Sequence, residues 1–388
     1  MNTMTMPTRF RPFLAAFLAV LALAVLAGAP ARAGDTVTVT DLAGRQVTIK
    51  RPVKRIILAE ANDLMSMAFI HPDPVSLVVG WAAVGRMDKG TLAAYRRKFP
   101  AIDGIAEVGS WTADTFSVEK ALSLKPDLVL LTAYQDPKLG AGAIAQAFEA
   151  AGVPVVFVTA PGSAHMQATD IAPRMTLLGK ILGREKEADA VIAFYREHLE
   201  HVRRRIAQSS PPRPKVLIDT YAGLSNCCRA PGRHGWSEFV DLAGGQNLSA
   251  ADPSSGGGMM SMEYILAQNP DVYIGNGGSY MEVKAKGKGL LVGPAYTAEE
   301  SRETLARLMQ RPGFPELKAV KDGQVYGVWT ALALQPENIL LAEIMAKWLH
   351  PDLFRDLDPK TTLAEINRRF LAVPMEGVYW VGLKKDAP

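Results

Sequence analysis

The chain has 388 residues, 43 of them basic and 39 acidic, a formal charge of +4. The excess lies in Arg9, Arg11 and Arg32; beyond residue 33 there are 40 basic and 39 acidic residues, which argues against a nucleic-acid partner. Two adjacent cysteines, Cys227 and Cys228, exclude a disulfide framework, and the length suffices for two lobes with separate cores.

Residues 1–33 carry a basic start, the apolar run FLAAFLAVLALAVLAGAP and a terminal Ala-Arg-Ala. These are the three parts of a cleavable signal peptide. No cysteine near the cleavage point could take a lipid, so the mature chain is expected to start near Gly34 and to work in the periplasm without a membrane anchor. TVTVTDLAGRQVTIK then alternates apolar and polar residues about a turn and predicts a hairpin. RIILAE and VSLVVGW read as strands separated by a helix over DLMSMAFIH. AIAQAFEAAG predicts another helix, VPVVFVTA a strand, and a further helix ends near Gly183. EKEADAVIAFYREHLEHVRRRIAQ holds neither Gly nor Pro and predicts one long helix, which SSPPRP stops before the strand KVLIDTY. The fold class is α/β: two Rossmann-like lobes, 34–183 and 210–388, joined by a single linker helix over 184–209, with a ligand cleft between them.

One phrase occurs twice, SVEKALSLKPDLVLL at 117–131 and SMEYILAQNPDVYIG at 261–275. Each starts with a serine able to cap a helix, puts a glutamate in the first turn, where the macrodipole favours it, and stops at Pro126 or Pro270. An apolar strand follows each Pro-Asp. The lag of 144 residues far exceeds the roughly 20 to 50 of a solenoid and matches a domain.

These paired units, the long helix, and the segments DLAGRQVTIKRPVKRII, FVDLAGGQNLSA, PGFPELKAVKDGQVYGVW and ENILLAEIMAKWLHPDLF resemble the helical-linker class of periplasmic substrate-binding proteins that serve ABC importers of ferric siderophores, haem and cobalamin. The resemblance covers the mature chain. It implies a monomer that binds a small-molecule metal chelate, uses no cofactor, and meets a permease dimer in the inner membrane. It also implies that Glu119 and Glu263, by their place in the repeated motif, dock with the two permease subunits; without it, both would be helix-capping carboxylates. Ligands of α/β lobes lie at the carboxyl ends of strands. The residues expected there are Glu60, Asn62, Trp81, Arg86, Trp111, Tyr134, Arg229, Arg233, Trp236, Tyr280 and Trp329. Aromatic rings with a few guanidinium groups suit a bulky, planar, anionic ligand. Axial ligation by Tyr134, Tyr280 or His234 would point to haem instead.

No set of metal-ligating side chains assembles from the sequence. His198 and His201 read as part of a solvated helix face, and Met259 and Met260, which could serve as soft copper ligands, read rather as core methionines after a flexible loop. Cys227 and Cys228 are either free or joined as a vicinal disulfide. GAGAIA at 140–145 fits a dinucleotide fingerprint but lacks the acidic residue that a ribose needs about twenty positions on. An enzyme is therefore not expected. Another class of protein, an exported sensor or scaffold without a transport role, stays open.

Overall fold

The computed structural model describes residues 35–110, 112–132, 141–159, 168–251 and 257–384. The predicted signal peptide, Trp111 and Tyr134 lie outside them. The predicted hairpin is present as β1 (Thr36–Thr40) and β2 (Gln46–Lys50), antiparallel, with Val39 and Ile49 buried. Asp41 closes its turn by accepting from the backbone N–H groups of Ala43 and Arg45 at 3.0 and 2.8 Å.

Five parallel strands follow: β3 (Ile56–Leu58), β4 (Val78–Ala82), β5 (Ala106–Gly109), β6 (Leu128–Leu131) and β7 (Val155–Phe157), in the spatial order β5-β4-β3-β6-β7. β3, β6 and β7 are buried at every position, which is why they read as unbroken apolar runs. The second sheet comprises β8 (Lys215–Asp219), β10 (Gln246–Asn247), β12 (Val272–Gly277), β13 (Val325–Trp329) and β14 (Trp380–Gly382), in the order β10-β8-β12-β13-β14. Its first four strands are parallel and β14 returns antiparallel. A two-residue ribbon, β9 (Arg229–Ala230) against β11 (Gly258–Met259), stands beside it.

The helix Glu185–Ser209 runs between the two sheets. Its buried stripe includes Val191, Phe194, Tyr195, Leu199 and Val202, and the helix packs on Ala172–Leu182 and on Ile339–Leu349. The Tyr195 hydroxyl donates to Asn338 Oδ1 at 2.7 Å, and Arg205 binds both oxygens of Asp356 at 2.5 and 2.7 Å. One histidine departs from expectation. His198 is not on a solvated face: its Nδ1 lies 2.7 Å from Glu343 Oε1, and the Glu343 side chain is only 1 % exposed. Burial lowers the His198 pKa, but the hydrogen bond and charge of Glu343 outweigh burial and raise it above 6.5. Charge periodicity along one helix cannot show that a neighbouring helix, Ile339–Leu349, turns a buried carboxylate toward it.

The two copies of the repeated phrase adopt the same structure. Ser117 caps the helix Val118–Ser123 by accepting from Lys120 N at 3.2 Å, and Ser261 caps Met262–Gln268 by accepting from Tyr264 N at 3.2 Å. Lys125 and Asn269, each just before its proline, turn into the left-handed region at φ 49° and 45°. The Asp127 carboxylate then accepts from Lys54 N at 2.8 Å, and Asp271 from Lys215 N at 2.8 Å, at the entrances of β3 and β8. The Pro-Asp pair therefore ends the helix and pins the following strand to the first strand of its own sheet.

Gly277, the last residue of β12, approaches the chain so closely that a Cβ would fall 2.1 Å from the carbonyl oxygen of Leu290. Gly277→Ala should lower stability by about 1–3 kcal/mol, the scale of overpacking. A urea midpoint equal to that of the wild type would show that the Leu290 segment can move aside.

Candidate functional site

The carboxyl ends of the two sheets meet along a seam. On the first sheet, the turn after β3 buries Glu60, Asn62 and Asp63, at 6 %, 2 % and 2 % exposure. Glu60 Oε1 accepts from the Asn62 backbone and side-chain nitrogens at 3.3 and 3.1 Å, while Oε2 pairs with Arg86 Nε at 3.2 Å. Burial pushes the Glu60 carboxyl up to about 7 against the pull of Arg86, and the charge of Asp63 adds to the rise. Asp63 is itself paired with Arg174. Glu60, Asn62 and Arg86 thus converge as one cluster.

Asp88, two residues after Arg86, links the sheets. It caps the helix Lys89–Lys98 through Gly90 N at 2.8 Å. Its other oxygen accepts from Ser279 N at 3.1 Å, just beyond β12, and from Trp329 Nε1 at 3.4 Å, at the end of β13. Lys89 adds an ion pair to Glu282 at 2.6 Å, and Lys89 N donates to Ser279 Oγ at 3.2 Å. A second crossing comes after β13, where Gln335 bonds Ser66 Oγ and donates to the Asn62 carbonyl at 3.0 Å. Between the crossings a small cavity of about 30 Å³ is lined by Met65, Tyr95, Trp329, Glu337 and Tyr379, among others. Glu337 is fully buried, neither carboxylate oxygen has a hydrogen-bond partner, and burial pushes its pKa up to about 8. At neutral pH it is mostly the uncharged acid.

On the second sheet, Tyr280 and Tyr221 meet edge to face with centroids 5.9 Å apart. The Tyr280 hydroxyl shares a hydrogen bond with Thr330 Oγ1 at 2.7 Å, and Thr330 donates to Asn276 Oδ1 at 3.1 Å. Burial raises the Tyr280 pKa, so its phenol stays protonated. Tyr221 is 40 % exposed at the end of this chain of contacts.

The expected aromatic residues separate into different environments. Trp81 lies within β4 and is core; Trp236 opens the helix Trp236–Leu242 and is buried; Trp329 is buried against Tyr379 with its ring nitrogen on Asp88. Large rings next to strand ends close the core here. Arg229 and Arg233 are exposed, and His234 is exposed with Nδ1 3.7 Å from Glu238. Cys227 and Cys228 are free, so the vicinal disulfide is not formed. Met259 is not a core residue; it is 56 % exposed on β11. Glu119 and Glu263 are both exposed in the first turns of their short helices, and the Glu263 carboxyl is held below its usual range by backbone and Ser261 hydrogen bonds. Sequence reasoning missed Asp88, Lys89, Tyr221, Ser279, Glu282 and Gln335. Asp88 alone carried a local signal, an aspartate placed to cap a helix. Among the described residues, no group of three or more His, Cys, Asp or Glu side chains could hold a metal ion, and no helix is long and apolar enough to cross a membrane.

Two α/β lobes joined by one helix, with a polar seam at the strand ends, define the class of substrate-binding proteins that work with ABC transporters. The chain belongs to the periplasmic binding protein family, whose model matches residues 76–329. It is 24 % identical over 323 residues to YvrC of Bacillus subtilis, described as an uncharacterized ABC transporter substrate-binding lipoprotein, covering 82 % of this chain and 87 % of that one. It is 26 % identical over 196 residues to the vitamin B12-binding protein of Yersinia pestis, covering 50 % of this chain and 64 % of that one. The fold matches the TroA-like periplasmic binding protein FepB of Veillonella parvula with a TM-score of 0.77, at 22 % identity, over 90 % of this chain and 100 % of that one. The protein is therefore the substrate-binding component of an ABC transporter. Such components work with membrane permeases, and the relatives are solute-binding proteins, not enzymes.

Because the folded-state pKa of Glu60 is raised from 4.5 to about 7, its contribution to stability is full below 4.5 and is lost as pH rises through about 7. Glu60→Gln should remove that loss, so the wild type should fall in stability relative to the variant across this interval. Parallel urea midpoints for the two proteins would show that Arg86 keeps Glu60 ionised throughout.

Proposed function

We propose that the protein is exported to the periplasm by cleavage after residue 33, acts there as an unanchored monomer, and delivers a ferric siderophore or similar iron chelate to an inner-membrane permease dimer. In this reading residues 34–183 and 210–388 are lobes that rock slightly about the linker, 184–209. The observation that carries the docking role is the matched pair of exposed glutamates, Glu119 and Glu263, each in the first turn of a serine-capped helix. A two-fold permease needs two equivalent charges, and the macrodipole, which favours a carboxylate in either first turn, does not by itself require one in both. Ligand affinity and transport should separate: Glu119→Ala/Glu263→Ala should keep chelate affinity and lose uptake. Uptake at the wild-type rate in the double variant would overturn the docking role.

For the ligand, the cluster of Glu60, Asn62 and Arg86 supplies polar contacts, Tyr221 and Tyr280 an aromatic face, and Arg229 and Arg233 positive charge. Guanidinium groups bind carboxylate or catecholate arms in bidentate fashion. Trp111 and Tyr134 belong to the same proposal from sequence alone. The relative named as a vitamin B12-binding protein supports a second reading, in which the ligand is a corrinoid or haem. Against axial ligation of haem by Tyr280 stands its hydroxyl, already bonded to Thr330 and held protonated by burial. Titration of tryptophan fluorescence with ferric siderophores, haem and cobalamin distinguishes these readings. Saturable quenching by one ferric chelate at about micromolar concentration or below is expected, within the usual range of specific affinities. Saturation by haem or cobalamin alone would replace the ligand, and silence with all three classes would favour a sensor or scaffold.

A further inference from the structure

The cavity of about 30 Å³ at the seam takes its walls from both lobes. Met65, on the helix Asp63–Ala68, and Thr91 and Tyr95, on Lys89–Lys98, come from the first. Trp329, at the end of β13, Glu337, ahead of the helix Ile339–Leu349, and Tyr379, next to β14, come from the second. The rings of Trp329 and Tyr379 touch, with centroids 5.3 Å apart and planes inclined at 59°. Glu337 is 0 % exposed, and no side chain bonds either of its carboxylate oxygens. Burial raises the pKa of Tyr95 and of Tyr379, and the charge of Glu337 adds to the rise in both, so the carboxylate stands within electrostatic reach of the two phenols. The charged groups around it leave a negative surplus. Glu376 also lines the cavity, and Asp88 accepts from the Trp329 indole, whereas Arg174, whose charge reaches Glu337, is already paired with Asp63. A buried carboxylate in such a place calls for a counter-charge.

We infer that this cavity binds a small ammonium ion, ammonium itself or methylammonium, between the Glu337 carboxylate and the rings of Tyr95, Trp329 and Tyr379. Its volume of about 30 Å³ exceeds the roughly 10–15 Å³ that one water needs, and so admits one or two heavy atoms. Aromatic walls attract an organic cation, whereas a hard metal ion needs about six oxygen ligands. Among the described residues, no group of three or more His, Cys, Asp or Glu side chains supplies such a set. Burial outweighs the charge of Arg174 and holds the Glu337 carboxyl up to about 8, so the ion enters in exchange for a proton. The carboxyl O–H bond breaks, its proton passes to solvent, and the ammonium N–H groups donate to the carboxylate oxygens. An ion held there touches both lobes. The inference stands whichever chelate the protein carries.

The test uses the full chain and saturation-transfer NMR on the methyl signal of methylammonium, at constant ionic strength. Saturable transfer is expected with a dissociation constant of about millimolar order, the range open to a ligand of two heavy atoms. The affinity should fall as pH drops below about 8. Ammonium chloride should displace the probe, and sodium chloride should not. Glu337→Gln, which keeps the shape and removes the charge, should abolish the transfer. Ala94→Leu, which fills the cavity from the helix Lys89–Lys98 and leaves Glu337 in place, should abolish it as well. Unchanged transfer in either variant would overturn the site, so the second still decides if the first does not fold. Absence of saturable transfer in the wild type would overturn it too and leave the cavity to ordered water. Displacement by potassium chloride as effective as by ammonium chloride would overturn the assignment to ammonium ions.

Discussion

Because the chain, among the described residues, passes once between its two sheets, along Glu185–Ser209, their relative placement depends on non-covalent contacts, several of them at the strand ends. Asp88 is the centre of these contacts. One carboxylate caps a helix of the first lobe and, through its second oxygen, accepts from a backbone amide and an indole of the second. Carboxylate hydrogen bonds in a buried seam are strong, and losing such a hub would leave both donors without a partner.

The seam also holds acidic groups in two charge states. Glu60, beside Arg86, is pushed up to about 7, whereas at Glu337 burial outweighs its own backbone amide and the charge of Arg174 and pushes the carboxyl up to about 8. A charged carboxylate in the Glu337 position would cost more than the interface returns. The lobes therefore meet around one hydrogen-bonding hub, Asp88, and one buried acid without a side-chain partner, not around a row of buried ion pairs, whose geometry must be kept for each to break even.

Much of the architecture was legible because it depends on local rules. The hairpin, the buried parallel strands, the long helix and both copies of the repeated unit follow from alternation, apolar runs and proline stops. The function of Pro-Asp at 127 and 271, pinning a strand entrance, was not read, because the partners Lys54 and Lys215 lie 73 and 56 residues away. Of the candidate site, the loops at strand ends were legible: Glu60, Asn62 and Arg86 do lie together after β3 and β4, whereas the rings of Trp81, Trp236 and Trp329 are buried, since position near a strand end does not say which face a ring will choose. The seam was invisible because Asp88 and Ser279 are 191 residues apart.

The short serine-capped helices have a consequence for association. Each is held at one end by its cap and at the other by a left-handed residue, a proline and an aspartate bonded to the first strand of its sheet. Glu119 and Glu263 thus stand on backbone that has already lost its freedom in the unbound protein. On the proposed docking role, a permease gripping them would order little more than two side chains, and most of the electrostatic attraction would be retained as binding free energy instead of being spent on conformational entropy.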